Sequence, residues 1–295
     1  MKKLILICVS CMLFTHIATS QRSTIKDYLD SYIGQNADPY VQPLADLFSS
    51  NINTDVWEWS NFDQKFFIRF KLQAMVSFPS ESMRTFQGTT TGDFHPQQTV
   101  TAPTIIGDPN EIFLQGADTT FYVFPGGYNL KRMPLGTPQL TVGGFLNTEI
   151  SARFLSFPLG QDLGRVRFVG IGARHSLTGY FDNPPFDLSI GYFYHHIQAS
   201  TYLHSDQQLV SASLGKSGTI FSGQFTVGYQ TSNSHIHYDF DNGDNTTYPV
   251  NLYLHNNNNW LIEANAGLRL GPVFASAGIS YTNHVTIVAG AGLFL

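Results

Sequence analysis

Cysteine is almost missing from this 295-residue chain: there are two, Cys8 and Cys11, both within the first twenty residues. Charge is scarce, at 13% of residues, where a soluble domain carries about 25%. Apolar runs are short, and beyond the first twenty residues none approaches the roughly 18 residues of a membrane-crossing helix. The first lack excludes a small secreted domain stapled by disulfides. The last excludes a helical membrane protein. Sixteen basic residues against 21 acidic leave no basic stripe, so no nucleic-acid partner is expected. No phosphate loop, zinc signature or G-x-S-x-G elbow stands out, so neither a cofactor nor an enzyme is expected.

What is present begins with an export signal. Lys2 and Lys3 precede an apolar stretch from Leu4 to Phe14, and Ala18-Thr19-Ser20 supplies small residues for cleavage. This pattern predicts a signal peptide over 1–20, too short to span a membrane. The remaining 275 residues hold no thiol, with 14 basic and 21 acidic residues and a net charge of −7. They are rich in aromatics, since the chain carries 24 phenylalanines and 14 tyrosines.

Two helical stripes follow the signal. Ile25, Tyr28, Leu29, Tyr32 and Ile33 fall at helical spacing between Ser23 and Gly34, and Tyr40, Leu44, Leu47 and Phe48 repeat it. From Phe66 onward the period is two. In FFIRFKLQAMVSF the even positions Phe66 to Phe78 are apolar, and Arg69, Lys71 and Gln73 lie opposite. In QLTVGGFLNTEISARF, Leu140, Val142, Leu146, Ile150, Ala152 and Phe154 oppose Glu149 and Arg153. WLIEANAGLRL opposes Trp260, Ile262, Ala264, Ala266, Leu268 and Leu270 to Glu263, Asn265 and Arg269. The final HVTIVAGAGLFL alternates to its last residue. Weaker strands fall at about 164–180, 207–216, 219–231, 234–241, 247–255 and 272–282. GRVRFVGIGARHS breaks strict alternation, and its facing stays open. The stretch 85–138, rich in Gly, Pro and Thr, reads as a large loop or a loop with an embedded hairpin.

Long dyadic strands with charges on one face and apolar residues on the other suit a sheet closed in lipid, where every backbone group needs a partner. The fold expected is all-β: a closed antiparallel transmembrane β-barrel of about 12 strands, range 10–14, with a short N-terminal helical plug. Its units are the signal peptide 1–20, a plug segment 21–60 and a barrel 61–295 with a long insert at about 85–138. A water-soluble sandwich would have shorter strands and few charges on its buried face.

PYVQPLADLFSSNINTDVWEW (39–59), TAPTIIGDP (101–109) and GIGARHSLTGYF (170–181) resemble an uncharacterised Gram-negative outer-membrane β-barrel family. Its members look distantly similar to the long-chain fatty-acid outer-membrane transporters. The resemblance implies an outer-membrane location, assembly by the barrel machinery, lipid around the barrel and an N-terminal plug inside it. It also implies passive transport of a small hydrophobic ligand. A non-transporting scaffold or partner-binding barrel is the alternative, and a lipid-modifying barrel enzyme ranks last. Two features depart from the transporters: the chain is shorter, and Leu295 stands where outer-membrane strands usually end in an aromatic.

The inward residues Arg69, Lys71, Gln73, Glu149, Arg153, Glu263 and Arg269 are the site candidates, as a pairing network that holds the plug or as a substrate path. His235 and His237 share a strand face with Asp239, a weak metal candidate that lacks further ligands. His175 and Ser176 are adjacent on a strand and so point to opposite faces, which defeats a nucleophile–base pair. DFDNGDN (239–245) lacks the spacing of a calcium loop and reads as a hairpin loop. An acidic residue at Leu72 should impair membrane assembly far more than Gln73→Glu, because a lipid-facing charge is penalised by depth; heat-modifiable gel migration of the two variants reads this out.

Overall fold

The computed structural model describes residues 35–57, 59, 65–92, 94–117, 120–158, 165–182, 184–200, 202–241 and 247–295. The signal expected over 1–20 and the first expected helix lie outside the described residues. The second helix is α1, Ala37–Asn53, ending two residues beyond the Ser-Ser-Asn run.

Strand β1 (Phe67–Phe78) alternates as its sequence does, with Phe70, Leu72 and Phe78 exposed and Arg69, Lys71 and Gln73 buried. Next come two short hairpins, β2 (Thr85–Thr89) with β3 (Thr99–Pro103), and β4 (Ile112–Gln115) with β5 (Phe121–Phe124). The main sheet resumes with β6 (Met133–Phe145), β7 (Thr148–Pro158), β8 (Arg165–Ser176), β9 (Asp187–Ala199), β10 (Leu203–Ser217) and β11 (Phe221–Asp241). It continues through β12 (Thr247–His255), β13 (Trp260–Leu270), β14 (Val273–Tyr281) and β15 (Val285–Phe294). β15 pairs with β1 and β10 with β11, so a ring of ten antiparallel strands closes. Following the paired residues around the ring returns to β1 about twelve residues displaced, a shear that tilts ten strands by about 40°.

Ten lies at the low end of the expected range, and the reason is local. The stretches 219–231 and 234–241 are one 21-residue strand, β11. β12 pairs only with the far part of β11, from Asn233 to Asp241, and so stands beyond the ring. QLTVGGFLNTEISARF is not one strand but the β6–β7 hairpin, turned at Leu146 and Asn147, both at positive φ (47° and 52°). That backbone suits a type I′ turn, which usually calls for Asn or Gly at both positions; Leu146 hid it. Gly144 (φ 96°) is required there, because an added Cβ would lie 2.1 Å from the Lys65 carbonyl oxygen.

Outside, the middle of the ring shows Leu72, Leu140, Ile150, Ile171, Ile190, Val210 and Ile262, all exposed. Aromatics bound this belt. Phe66, Phe145, Phe181 and Phe221 lie at one end, and Phe154, Tyr229, Trp260 and Tyr281 towards the other. It is the lipid belt of a transmembrane barrel. At the first end, tight turns join the strands at 146–147, 218–220 and 271–272. The opposite end carries the insert and the β11–β12 ribbon.

That insert spans 79–132, since residues 133–138, expected within it, already belong to β6. It is a folded cap. Tyr40 and Leu47 of α1, Ile105 and Ile106, Phe124 of β5, and Leu252 and Leu254 of β12 share one buried core. The Tyr40 hydroxyl donates to Gly126 O (2.9 Å), and Ile105 N donates to Tyr40 O (3.0 Å). Beneath the cap, Ile52 packs on Val166, Phe168, Ile197 and Ala199. There the inner wall turns apolar while Arg165 and Arg167 point outward. This inversion explains why β8 shows no simple alternation.

Candidate functional site

The lumen is built from two parts: inward side chains of the ring, and the chain from Ser50 to Trp57 together with Trp59. A ten-strand ring is only slightly wider than the eight-strand size whose interior side chains fill. One segment of chain therefore occupies much of its bore.

The segment enters as the last turn of α1. Helix ends leave carbonyls without partners, and Arg153 of β7 meets them. Its Nη1 donates to Ile52 O (2.7 Å), and Nη2 donates to Asp55 O (2.6 Å) and Thr54 O (3.2 Å). Nε donates to Gln139 Oε1 (2.7 Å), which fixes the guanidinium. A cation at a helix C-terminus is also favoured by the helix dipole. Around it, Thr54 and Ser280 share a hydroxyl contact of 2.7 Å, and Asn53 Nδ2 donates to Gln230 Oε1 (2.9 Å).

Asp55 then turns the chain at φ 51°. Its carboxylate accepts from Lys71 Nζ (2.9 Å), and its backbone N donates to Glu263 Oε2 (2.7 Å). Two tryptophans follow, into space left by glycines. A Cβ on Gly191 would lie 2.8 Å from the Trp57 ring, and one on Gly267 would lie 2.4 Å from Trp59. Trp57 Nε1 donates to Ser211 Oγ (3.0 Å). Glu149 bridges two guanidiniums: it pairs with Arg69, and its Oε1 lies 2.7 Å from Arg174 Nη2. Arg174 also donates to Trp59 O, so the ring's ion pairs reach the segment itself.

Six of the seven inward candidates, Arg69, Lys71, Gln73, Glu149, Arg153 and Glu263, are therefore buried inside the ring. Gln73 stands apart, with neither side-chain atom hydrogen-bonded among the described residues. Arg269 shares that inward face but sits at the tight-turn mouth, partly exposed, with its guanidinium 3.6 Å from the Phe294 ring. The strand ends there, so no wall remains to bury it. Its cavity, of about 720 Å³, is bounded by Trp59, Arg269, Pro272 and Phe294. Sequence reading missed Arg174, because β8 inverts, and Asp55, Trp57 and Trp59, whose partners exist only once the segment is threaded.

The remaining candidates lie elsewhere. His235 and His237 face outward from the ribbon, with His235 Nε2 and His237 Nδ1 each 3.0 Å from Asn251 Oδ1. The Asp239 side chain lies outside the described residues. Among those residues, no three His, Cys, Asp or Glu side chains are grouped to hold a metal. His175 Nδ1 meets Thr148 Oγ1 (2.9 Å) while Ser176 Oγ accepts from Gly179 N (2.9 Å), so the two make no dyad.

Fold and lumen together define a transmembrane β-barrel that is plugged by its own chain and capped. The chain belongs to the Family of unknown function (DUF6588), whose model matches residues 1–294. No curated protein matches it. Among solved structures it is similar to a loop-deleted form of the Vibrio cholerae outer membrane protein OmpT, at 10% identity, 78% of this chain, 98% of the other and a TM-score of 0.30. It is also similar to the Escherichia coli outer membrane protease OmpT, at 8% identity, 78% and 95% coverage and a TM-score of 0.34. The transport unit of the Escherichia coli autotransporter AIDA-I gives 8% identity, 86% and 97% coverage and a TM-score of 0.30.

Glu149→Gln leaves two buried guanidiniums without a counter-charge, which costs about 3–5 kcal/mol; the urea midpoint for loss of the heat-modifiable form will fall. Adding Arg174→Met will restore part of it, because coupled neighbours are not additive. At the rim, burial pushes the His284 imidazole in the β14–β15 turn down from 6.5 to about 4. The opened turn takes up a proton near 6.5 and the packed turn only near 4. Packing is therefore at full strength above pH 6.5 and is lost as pH falls towards 4, by up to about 3 kcal/mol. Melting at neutral and acid pH will show the loss, and His284→Asn will abolish it.

Proposed function

We propose that this protein is a sealed outer-membrane barrel that holds a folded cap at the cell surface and works there as a scaffold or binding protein. It carries out no catalytic step and needs no cofactor. The observation that carries this reading is the occupied bore: the segment from Ser50 to Trp59 is tied to the wall through Arg153, Lys71, Glu263 and Arg174. Orientation supports it. Outer-membrane barrels keep short turns on the periplasmic side and long connections outside, which sets the cap outward. The lipid belt and the expected export signal fit delivery to the outer membrane by the barrel assembly machinery.

The second reading is passive uptake of a small hydrophobic molecule, as the resemblance to fatty-acid transporters implies. The cavity at the tight-turn mouth favours it, because Trp59 of the plug lines that space. Uptake would then require the plug to move. Planar-bilayer recordings distinguish the two. The intact protein should give no conductance steps, and removing residues 21–60 should open it. Steps from the intact protein would overturn the sealed reading, and an unchanged record after the deletion would exclude a plug-gated path.

A further inference from the structure

The outer face of β8–β12 changes character beyond the second aromatic ring. On β9, Ile190, Tyr192 and Tyr194 face outward in turn, and the next position is His196. On β10, Leu214, Ala212 and Val210 give way to Gln208, Asp206 and His204. β8 passes from Ile171 and Val169 to Arg167 and Arg165. Past Tyr229, β11 turns polar at Thr231 and Asn233, before His235 and His237.

These side chains adjoin across the sheet. Arg167 is paired with Gln198 and Val169 with His196, Gln198 with His204, His204 with His235, and Asn233 with His255 of β12. Among the described side chains, the acids at the patch are Asp206 and Asp38, and Asp239 follows His237 by two residues on β11. Asp206 accepts from the Tyr194 hydroxyl and lies 2.8 Å from His196 Nδ1, and Asp38 of α1 acts on His255. Tyr253 stacks on His235 at 4.6 Å, and Asn251 meets His235 and His237. β13, β14 and β1 differ: beyond Trp260, Tyr281 and Phe78 the corresponding positions are Asn258, Asn283 and Ser80, while β6 is preceded by exposed Arg132 in its outward row.

We propose that this patch docks the phosphate groups of lipids in the leaflet around the cap end, with a grip that tightens in acid. The proposal rests on the membrane orientation given above. Three observations carry it. The patch is continuous with the lipid belt, so its ligand is a molecule already in that layer. Its fixed charge is the guanidinium pair Arg165 and Arg167, and guanidinium recognises phosphate oxygens. Its other cation formers are histidines, a residue type that gains charge between about pH 8 and pH 5. A lipid whose chains lie against Val169, Ile190 and Val210 would bring its phosphates level with Arg167, His196 and His204.

Full-length protein, first checked for heat-modifiable migration, is mixed in neutral detergent with diphosphoryl lipid A or with the same lipid stripped of phosphate. Native mass spectrometry reads retention at about pH 5.5 and about pH 8. Diphosphoryl lipid should be retained about tenfold more than the stripped lipid in acid, with a smaller preference at the higher pH. Arg165→Gln with Arg167→Gln should weaken retention about twenty-five-fold, at roughly fivefold per arginine, and His204→Gln with His235→Gln should flatten the pH dependence. Equal retention of the two lipids, or unchanged retention in the arginine variant, would overturn the proposal. Displacement by inorganic phosphate would also overturn it, since the site would then serve free anions. Failure of the migration check indicts the barrel reading instead.

Discussion

A charge inside a barrel must be answered by another charge or by a hydrogen bond, and here the answer comes from the chain's own N-terminal segment. Arg153 illustrates it. Its guanidinium is buried, and it donates to plug carbonyls and to Gln139. Remove the segment and the wall keeps a desolvated cation; remove Arg153 and the end of α1 keeps unpaired carbonyls. Lys71 with Asp55 repeats that dependence lower in the bore, and Arg174, paired with Glu149 within the wall, donates to the plug at Trp59 O. Wall and plug are one polar unit, so neither is arranged for burial alone.

Lipid imposes the complementary constraint outside. It fixes the period of two along each strand and forbids charge on the outward row, which leaves Arg69, Lys71, Glu149, Arg153, Arg174 and Glu263 turned into the lumen. Where the strands leave the lipid the constraint lapses, and the pattern reverses. On β8, Val166 and Phe168 turn in beneath α1 while Arg165 and Arg167 turn out. The cap exploits that freedom. Its hairpins, α1 and β12 bury an ordinary hydrophobic core around Tyr40, Leu47 and Phe124, with no help from the membrane.

How much of this was legible follows from the same physics. The barrel and the facing of Arg69, Lys71, Glu149, Arg153 and Glu263 could be read because lipid enforces alternation residue by residue. Arg174 could not, since the reversal within β8 blurs the period. The β6–β7 turn was hidden because Leu146 takes a conformation usually left to Asn or Gly. The cap read as a loop because its strands are only four or five residues long, below the length at which periodicity speaks. The roles of Asp55, Trp57 and Trp59 depend on threading, which no local pattern encodes. Gly191 and Gly267 were the trace left in the sequence, each marking where a tryptophan would approach the wall.

The central claim is that the segment after α1 lies inside the bore and is held there. Thr54 and Ser280 meet through their hydroxyls at 2.7 Å, buried, and the two natural cysteines fall in the expected export signal. Cysteines placed at these two positions therefore report the threading directly. The account predicts near-complete disulfide formation in the assembled barrel on mild oxidation, with heat-modifiable migration retained. An assembled barrel in which Thr54→Cys and Ser280→Cys stay reduced and freely labelled would mean that the segment is not in the lumen, and would contradict the account.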